Sequence, residues 1–151
     1  MKKFTFILFS FFIAGLVSAQ TLNPVSWTFT SKKISNNLYE LQMTATIQNG
    51  WHLYSQNQPD DAIAIPTAFS FNKNPLLDFD GKVKEVGKMV KYKDDKLGVS
   101  ANQYSNKVVF VQKIKLKGKA KTNVTGKLEY QTCNDEKCLP PKTMNLSISL
   151  L

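Results

Sequence analysis

The chain has 151 residues, 42% hydrophobic and 21% charged, and a formal charge of +9. Its length suits one folded domain rather than several. The lysines are scattered (Lys32-Lys33, Lys82 to Lys96, Lys113 to Lys121) and interrupted by Glu85 and Asp94-Asp95, so no basic stripe or reading motif points to nucleic acid. The charge reads as solubility, with weak steering toward acidic partners.

The chain opens with an export signal. Lys2 and Lys3 form a charged start, Phe4 to Val17 is an almost unbroken apolar run, and Val17-Ser18-Ala19 supplies small residues for cleavage. The run is too short for a secure membrane span. No cysteine stands at its end to take a lipid. Residues 1–19 are therefore expected to be removed, leaving a soluble domain over 20–151. An uncleaved N-terminal anchor is the alternative. Either way the domain lies outside the cytosol, where disulfides persist. The periplasm is the expected location, with secretion as the variant.

The mature segment reads as strands. Val25 to Ser31 alternates around Trp27 and Phe29, and Tyr39 to Ile47 alternates through Leu41, Met43 and Ala45. Ala68 to Phe71 is a short strand between Pro66 and Pro75. Lys82 to Val86 and Met89 to Tyr92 flank Gly87 and are expected to pair with each other. Lys107 to Lys117 alternates again, with Phe110, Ile114 and Leu116 on one face. Val124 to Thr132 and Met144 to Leu150 complete the set. No mature segment carries a helical period with caps.

Short strands at this spacing, joined by Gly, Pro and Asn turns, predict an all-β fold: an immunoglobulin-like antiparallel β-sandwich. Internal repeats and low-complexity linkers are absent. Asn123-Val124-Thr125 and Asn145-Leu146-Ser147 match glycosylation acceptors, but both fall within strands and are read as chance.

Cys133 and Cys138 are the only cysteines, with four residues between them. In a disulfide they would close a loop worth about 2 kcal/mol in the chain-entropy model, near the low end for such bonds. A domain of this length folds without that help, so the bridge is a poor staple and an easily reduced one. The residues alone leave a redox pair and a structural bridge open. Copper(I) on the two thiolates is a third reading. Against zinc stand the lack of a second cysteine pair and a single histidine, His52. Neither a Ser-His-Asp order nor a phosphate-binding glycine loop is present.

Three segments carry a resemblance: Gly50-Trp51-His52-Leu53-Tyr54-Ser55-Gln56, Pro66-Thr67-Ala68-Phe69, and Tyr130-Gln131-Thr132-Cys133 through Cys138-Leu139-Pro140-Pro141. Together they resemble the N-terminal periplasmic domain of the thiol:disulfide interchange protein DsbD. The resemblance implies an immunoglobulin-like sandwich whose cysteines take electrons from a thioredoxin-like or membrane donor and pass them to client oxidoreductases of the envelope. Those partners are held through transient mixed disulfides, without a cofactor or metal, and a monomer is expected. The activity implied is thiol:disulfide interchange. A non-catalytic binding module that keeps the bridge for stability is the competing reading.

The resemblance also assigns neighbours. Cys138 is implied to be the sulfur that bonds to partners. His52, Tyr54 and Tyr130 are implied to line the thiol pocket. A cap loop over the cysteines corresponds to Asp94 to Gly98, with Leu97 at the tip and Asp95 beside it. Leucine there departs from the family's aromatic tip: it excludes water but offers no flat ring face. The membrane carrier and thioredoxin-like domain of the full-length family protein do not follow, so a free-standing version acting in trans is expected.

Overall fold

The computed structural model describes residues 22–150, so the expected signal segment and its cleavage site lie outside the described residues. Among the described residues nine strands run in chain order: β1 Val25–Lys33, β2 Leu38–Ile47, β3 His52–Tyr54, β4 Ala68–Phe71, β5 Leu77–Asp94, β6 Val99–Leu116, β7 Thr122–Tyr130, β8 Thr132–Cys133 and β9 Lys142–Leu150. All pairings are antiparallel. One sheet has the order β1-β2-β6-β3-β8 with β5 also on β6, and the other has β4-β7-β9.

Alternation explains why the sheets face each other. Tyr39, Leu41, Met43, Ala45 and Ile47 all point inward from β2, as do Val108, Phe110, Ile114 and Leu116 from β6. Val124, Leu128 and Tyr130 of β7, with Leu146, Ile148 and Leu150 of β9, supply the opposing face. Trp27 of β1 ties the layers: its ring lies 6.2 Å from Phe69, 5.7 Å from Phe110 and 5.4 Å from Tyr130. Gly126 of β7 is required by close approach, since a Cβ there would sit 2.4 Å from the Ser70 carbonyl oxygen of β4.

The expected hairpin around Gly87 does not form. Lys82 to Val86 and Met89 to Tyr92 belong to one strand, β5, which pairs along its length with β6 through register shifts after Asp80 and Gly87. The reversal instead comes at residues 95–98, where Asp94 Oδ1 accepts from the Lys96 and Leu97 amides (2.9 and 3.1 Å) and Gly98 takes a φ of 66°. A glycine between two lysine-rich runs looks like a turn in sequence. Here Gly87 marks a bulge, with Tyr104 packed over it at 3.3 Å from where a Cβ would stand.

β6 is consequently long enough to have two partners on its other edge. Residues Lys107 to Lys115 pair with β2, while Gln103 and Tyr104 pair with Tyr54 and Leu53 of β3. The outer halves of β5 and β6 thus form an arm beyond the sandwich core, and β3 and β8 attach to that arm.

Candidate thiol-disulfide site

The cysteines lie on a tight hairpin at this arm. Thr132 and Cys133 run out as β8, and the chain returns so that Cys138 bridges back to Cys133 and the Leu139 amide donates to the Thr132 carbonyl at 2.9 Å. Asn134 shapes the turn: its Oδ1 accepts from the Glu136 and Lys137 amides at 3.1 and 2.8 Å. This is an Asx-type turn, in which a side-chain carbonyl substitutes for a backbone acceptor. Cys133 and Cys138 are joined in a disulfide, their Cα atoms 4.0 Å apart.

The two sulfurs occupy different environments. Cys133 is 1% exposed and packs with Tyr54, Ala101 and Ala64, whereas Cys138 is exposed. A reagent approaching from solvent therefore meets Cys138 first.

His52 faces Cys133 directly, since β3 pairs with β8 with His52 opposite Cys133 and Leu53 opposite Thr132. Tyr54, two residues on, shares that face. Its ring stands at 77° to the His52 ring with centroids 5.5 Å apart, and its hydroxyl is 3.5 Å from His52 Nε2. Burial pushes His52 below its ordinary range, an effect that the nearby Asp135 carboxylate partly offsets. Burial, and then the neighbouring Tyr92, push the Tyr54 phenol up. Both shifts favour the neutral forms of the two rings beside the disulfide.

The segment after β3 is fastened by a carboxylate. Glu85 of β5 accepts from Ser55 Oγ, the Gln56 amide and the Tyr104 hydroxyl, each at 2.7 Å. Gln58 then ties the loop to β6: its Nε2 donates to the Asn102 carbonyl at 2.7 Å and its Oε1 accepts from the Asn102 amide at 3.0 Å. Further along, the Ile65 amide donates to Gln131 Oε1 (3.0 Å), and Gln131 Nε2 donates to the Leu139 carbonyl (3.2 Å). The loop over residues 55–67 is thus bound at one end to the arm and at the other to the cysteine hairpin.

The residues singled out from sequence divide into three places. Cys133, Cys138, His52 and Tyr54 come together. Tyr130 lies one strand earlier, 3% exposed, in the core against Trp27. Asp95 and Leu97 sit at the tip of the arm: Leu97 is 73% exposed, and Asp95 pairs with Lys93 at 2.6 Å. Ala101, in the third residue pair back from the turn, packs at the disulfide, with Tyr92 paired across from it on β5. Sequence reasoning missed Tyr92, Ala101, Ala64 and Glu85. The register of β5 with β6 sets Tyr92 across from Ala101, the β3–β4 loop brings Ala64 to Cys133, and Glu85 acts through Ser55 and Gln56; no local pattern announces any of these.

A bonded cysteine pair thus sits on a hairpin of a two-sheet sandwich, with one sulfur buried and one open. The family model described as "Thiol:disulfide interchange protein DsbD, N-terminal" matches residues 19–149. The chain belongs to that family. The DsbD N-terminal domain is an immunoglobulin-like, periplasmic domain, and membership together with the bonded pair supports thiol-disulfide exchange as this chain's chemistry. The fold is similar to the reduced DsbD N-terminal domain of Neisseria meningitidis, at a TM-score of 0.51 and 16% identity, covering 82% of this chain and 84% of that one. It is also similar to the N-terminal periplasmic domain of ScsB from Proteus mirabilis (TM-score 0.47, 15% identity), covering 83% of this chain and 44% of that one. No curated protein matched. Among the described residues, no helix is long and apolar enough to cross a membrane.

Proposed function

We propose that this DsbD N-terminal family domain, exported on a cleaved signal, relays electrons in the periplasm through Cys133 and Cys138. It takes them from a thioredoxin-like or membrane donor and delivers them to client oxidoreductases. The observation that carries this reading is the contrast within one disulfide between buried Cys133 and exposed Cys138.

In the accepting direction, a donor thiolate attacks Cys138 Sγ. A donor–Cys138 disulfide forms, the Cys133–Cys138 bond breaks, and Cys133 leaves as a thiolate and takes up a proton. The donor's second thiolate then attacks its own sulfur in the mixed disulfide, and Cys138 is released and protonated. The donor dithiol has lost two electrons and two protons to the pair. The delivering direction is the reverse, with Cys138 attacking a client disulfide and Cys133 resolving the product.

Burial suits Cys133 to the resolving role, because a sheltered thiol meets only a sulfur already attached to its neighbour. His52, directly opposite Cys133, is held neutral and offers a ring nitrogen to the proton that moves when this sulfur leaves or attacks. Tyr54 backs that ring and excludes water. Asp95 and Leu97, on the arm beside the site, are contact points for the partner rather than a closed lid.

The test is to mix the oxidised protein with a reduced thioredoxin-like donor and titrate free thiols. Two new thiols per chain support the relay. A pair that stays oxidised, while the same donor reduces a control substrate, contradicts it.

A further inference from the structure

The sandwich is closed on one side and open on the other. Along β1 and β9 the Ser31 hydroxyl bonds the Ser149 carbonyl at 2.6 Å. On the opposite side the edge strands β4 and β5 belong to different sheets and do not pair. Between them lies a groove of about 950 Å³, within the range of small-molecule sites.

Its lining sets apolar side chains among the amides of Gln56, Asn57, Asn72, Asn74 and Gln112. Phe69, Phe71, Leu77, Phe79 and Val83 line it. Phe71 stacks on Phe69 with centroids 6.3 Å apart and on Phe79 at 4.9 Å. The three rings thus form one contiguous apolar row.

Its polar lining has one sign of charge. Lys73, Lys82 and Lys117 line the groove, and no carboxylate does. Alternation along β5 sends Asp78 and Asp80 to the other side, where they border a separate depression with Lys115. Among the described residues, none of the three groove lysines is in an ion pair. The Lys117 amide donates to the Leu76 carbonyl at 2.8 Å, which brings Lys117 to the β4–β5 connection that carries Lys73. Lys82 is presented by the bulge after Asp80. Gln112, 2% exposed, pins that bulge by donating from Nε2 to the Asp80 and Gly81 carbonyls at 3.1 and 3.3 Å.

We propose that this groove binds a free long-chain carboxylate, its acyl chain along the phenylalanines and its head at Lys73 and Lys117. Burial of the chain supplies the affinity, and the unpaired lysines select an anion over a neutral or cationic amphiphile. The groove meets the loop beside the disulfide site only through Gln56 and Asn57 and touches none of the residues around the sulfurs, so the proposal stands or falls apart from the redox reading.

The experiment is calorimetric titration of the disulfide-bonded protein with laurate below its micelle concentration. Saturable binding of one laurate per chain is expected, with no comparable binding of dodecyltrimethylammonium. A Lys73→Glu/Lys117→Glu variant, altered only at exposed positions, should bind laurate about tenfold more weakly. Phe71→Asp should abolish binding while circular dichroism confirms the fold; should it fail to fold, the lysine variant decides alone. Absence of saturable binding, equal binding of the cation, or undiminished affinity in the lysine variant overturns the proposal. So does retention on phosphatidylglycerol vesicles without binding of monomeric laurate.

Discussion

His52 stands directly across from Cys133 in the β3–β8 pair, on the face that Tyr54 shares. Burial lowers its pKa from the ordinary 6.5, and Asp135 offsets this only in part. Below pH 6.5 the unfolded chain binds a proton that the folded chain resists. The stability from neutral His52 is therefore complete above that pH and is lost as pH falls toward the lowered folded value. Wild type should lose more Tm than His52→Gln between about pH 7.5 and about pH 5. Thermal unfolding at both values checks this, and equal losses would contradict it.

Glu85 holds the segment that follows β3, accepting three hydrogen bonds from Ser55, Gln56 and Tyr104. An amide in its place keeps one oxygen as a weaker, neutral acceptor and turns the other into a donor facing a donor. Glu85→Gln should cost about 2 kcal/mol in denaturant unfolding. Burial and then Glu85 together raise the Tyr104 phenol, so ultraviolet titration should find Tyr104 ionising at lower pH in the variant. An unchanged titration would show that the Glu85 contact does not persist in solution.

Asn134 fixes the turn that brings Cys138 back to Cys133. Losing a hydrogen bond of about 1 kcal/mol from the bonded conformation should make the disulfide easier to reduce. Asn134→Ala should raise the reduction potential by roughly 10–30 mV. Equilibration with a glutathione buffer measures it, and a shift in the opposite direction would contradict the turn's role.

Gly126 leaves no room for a side chain against β4. Gly126→Ala should lose about 1–3 kcal/mol of stability without changing the potential of the distant cysteines. A coupled change in potential would show that the two sheets do not act independently on the site.

Much of the fold was legible from alternation. β1, β2, β4, β7 and β9 bury one face, so their patterns survive in the sequence. β3 and β8 do not, because three and two residues carry no period. The outer half of β5 failed for another reason. Val86, Met89, Val90 and Tyr92 are all substantially exposed, so neither face of this segment reads as buried, and the glycine within it mimicked a turn. In the site, the cysteines, His52 and Tyr54 were legible through short motifs. Ala101, Tyr92 and Glu85 were not, since they arrive through strand register. Tyr130 travelled with the cysteine motif, but inward alternation along β7 carries it into the core beside Trp27.

In the proposed relay, Cys138 meets partners while Cys133 resolves. Cys133→Ser and Cys138→Ser should each be incubated with an oxidised thioredoxin-like partner, and the disulfide-linked product quantified by non-reducing electrophoresis. A stable mixed disulfide is expected through the free Cys138 of Cys133→Ser, with little or none through the buried Cys133 of Cys138→Ser. Equal trapping by both variants, or trapping through Cys133 alone, would contradict it.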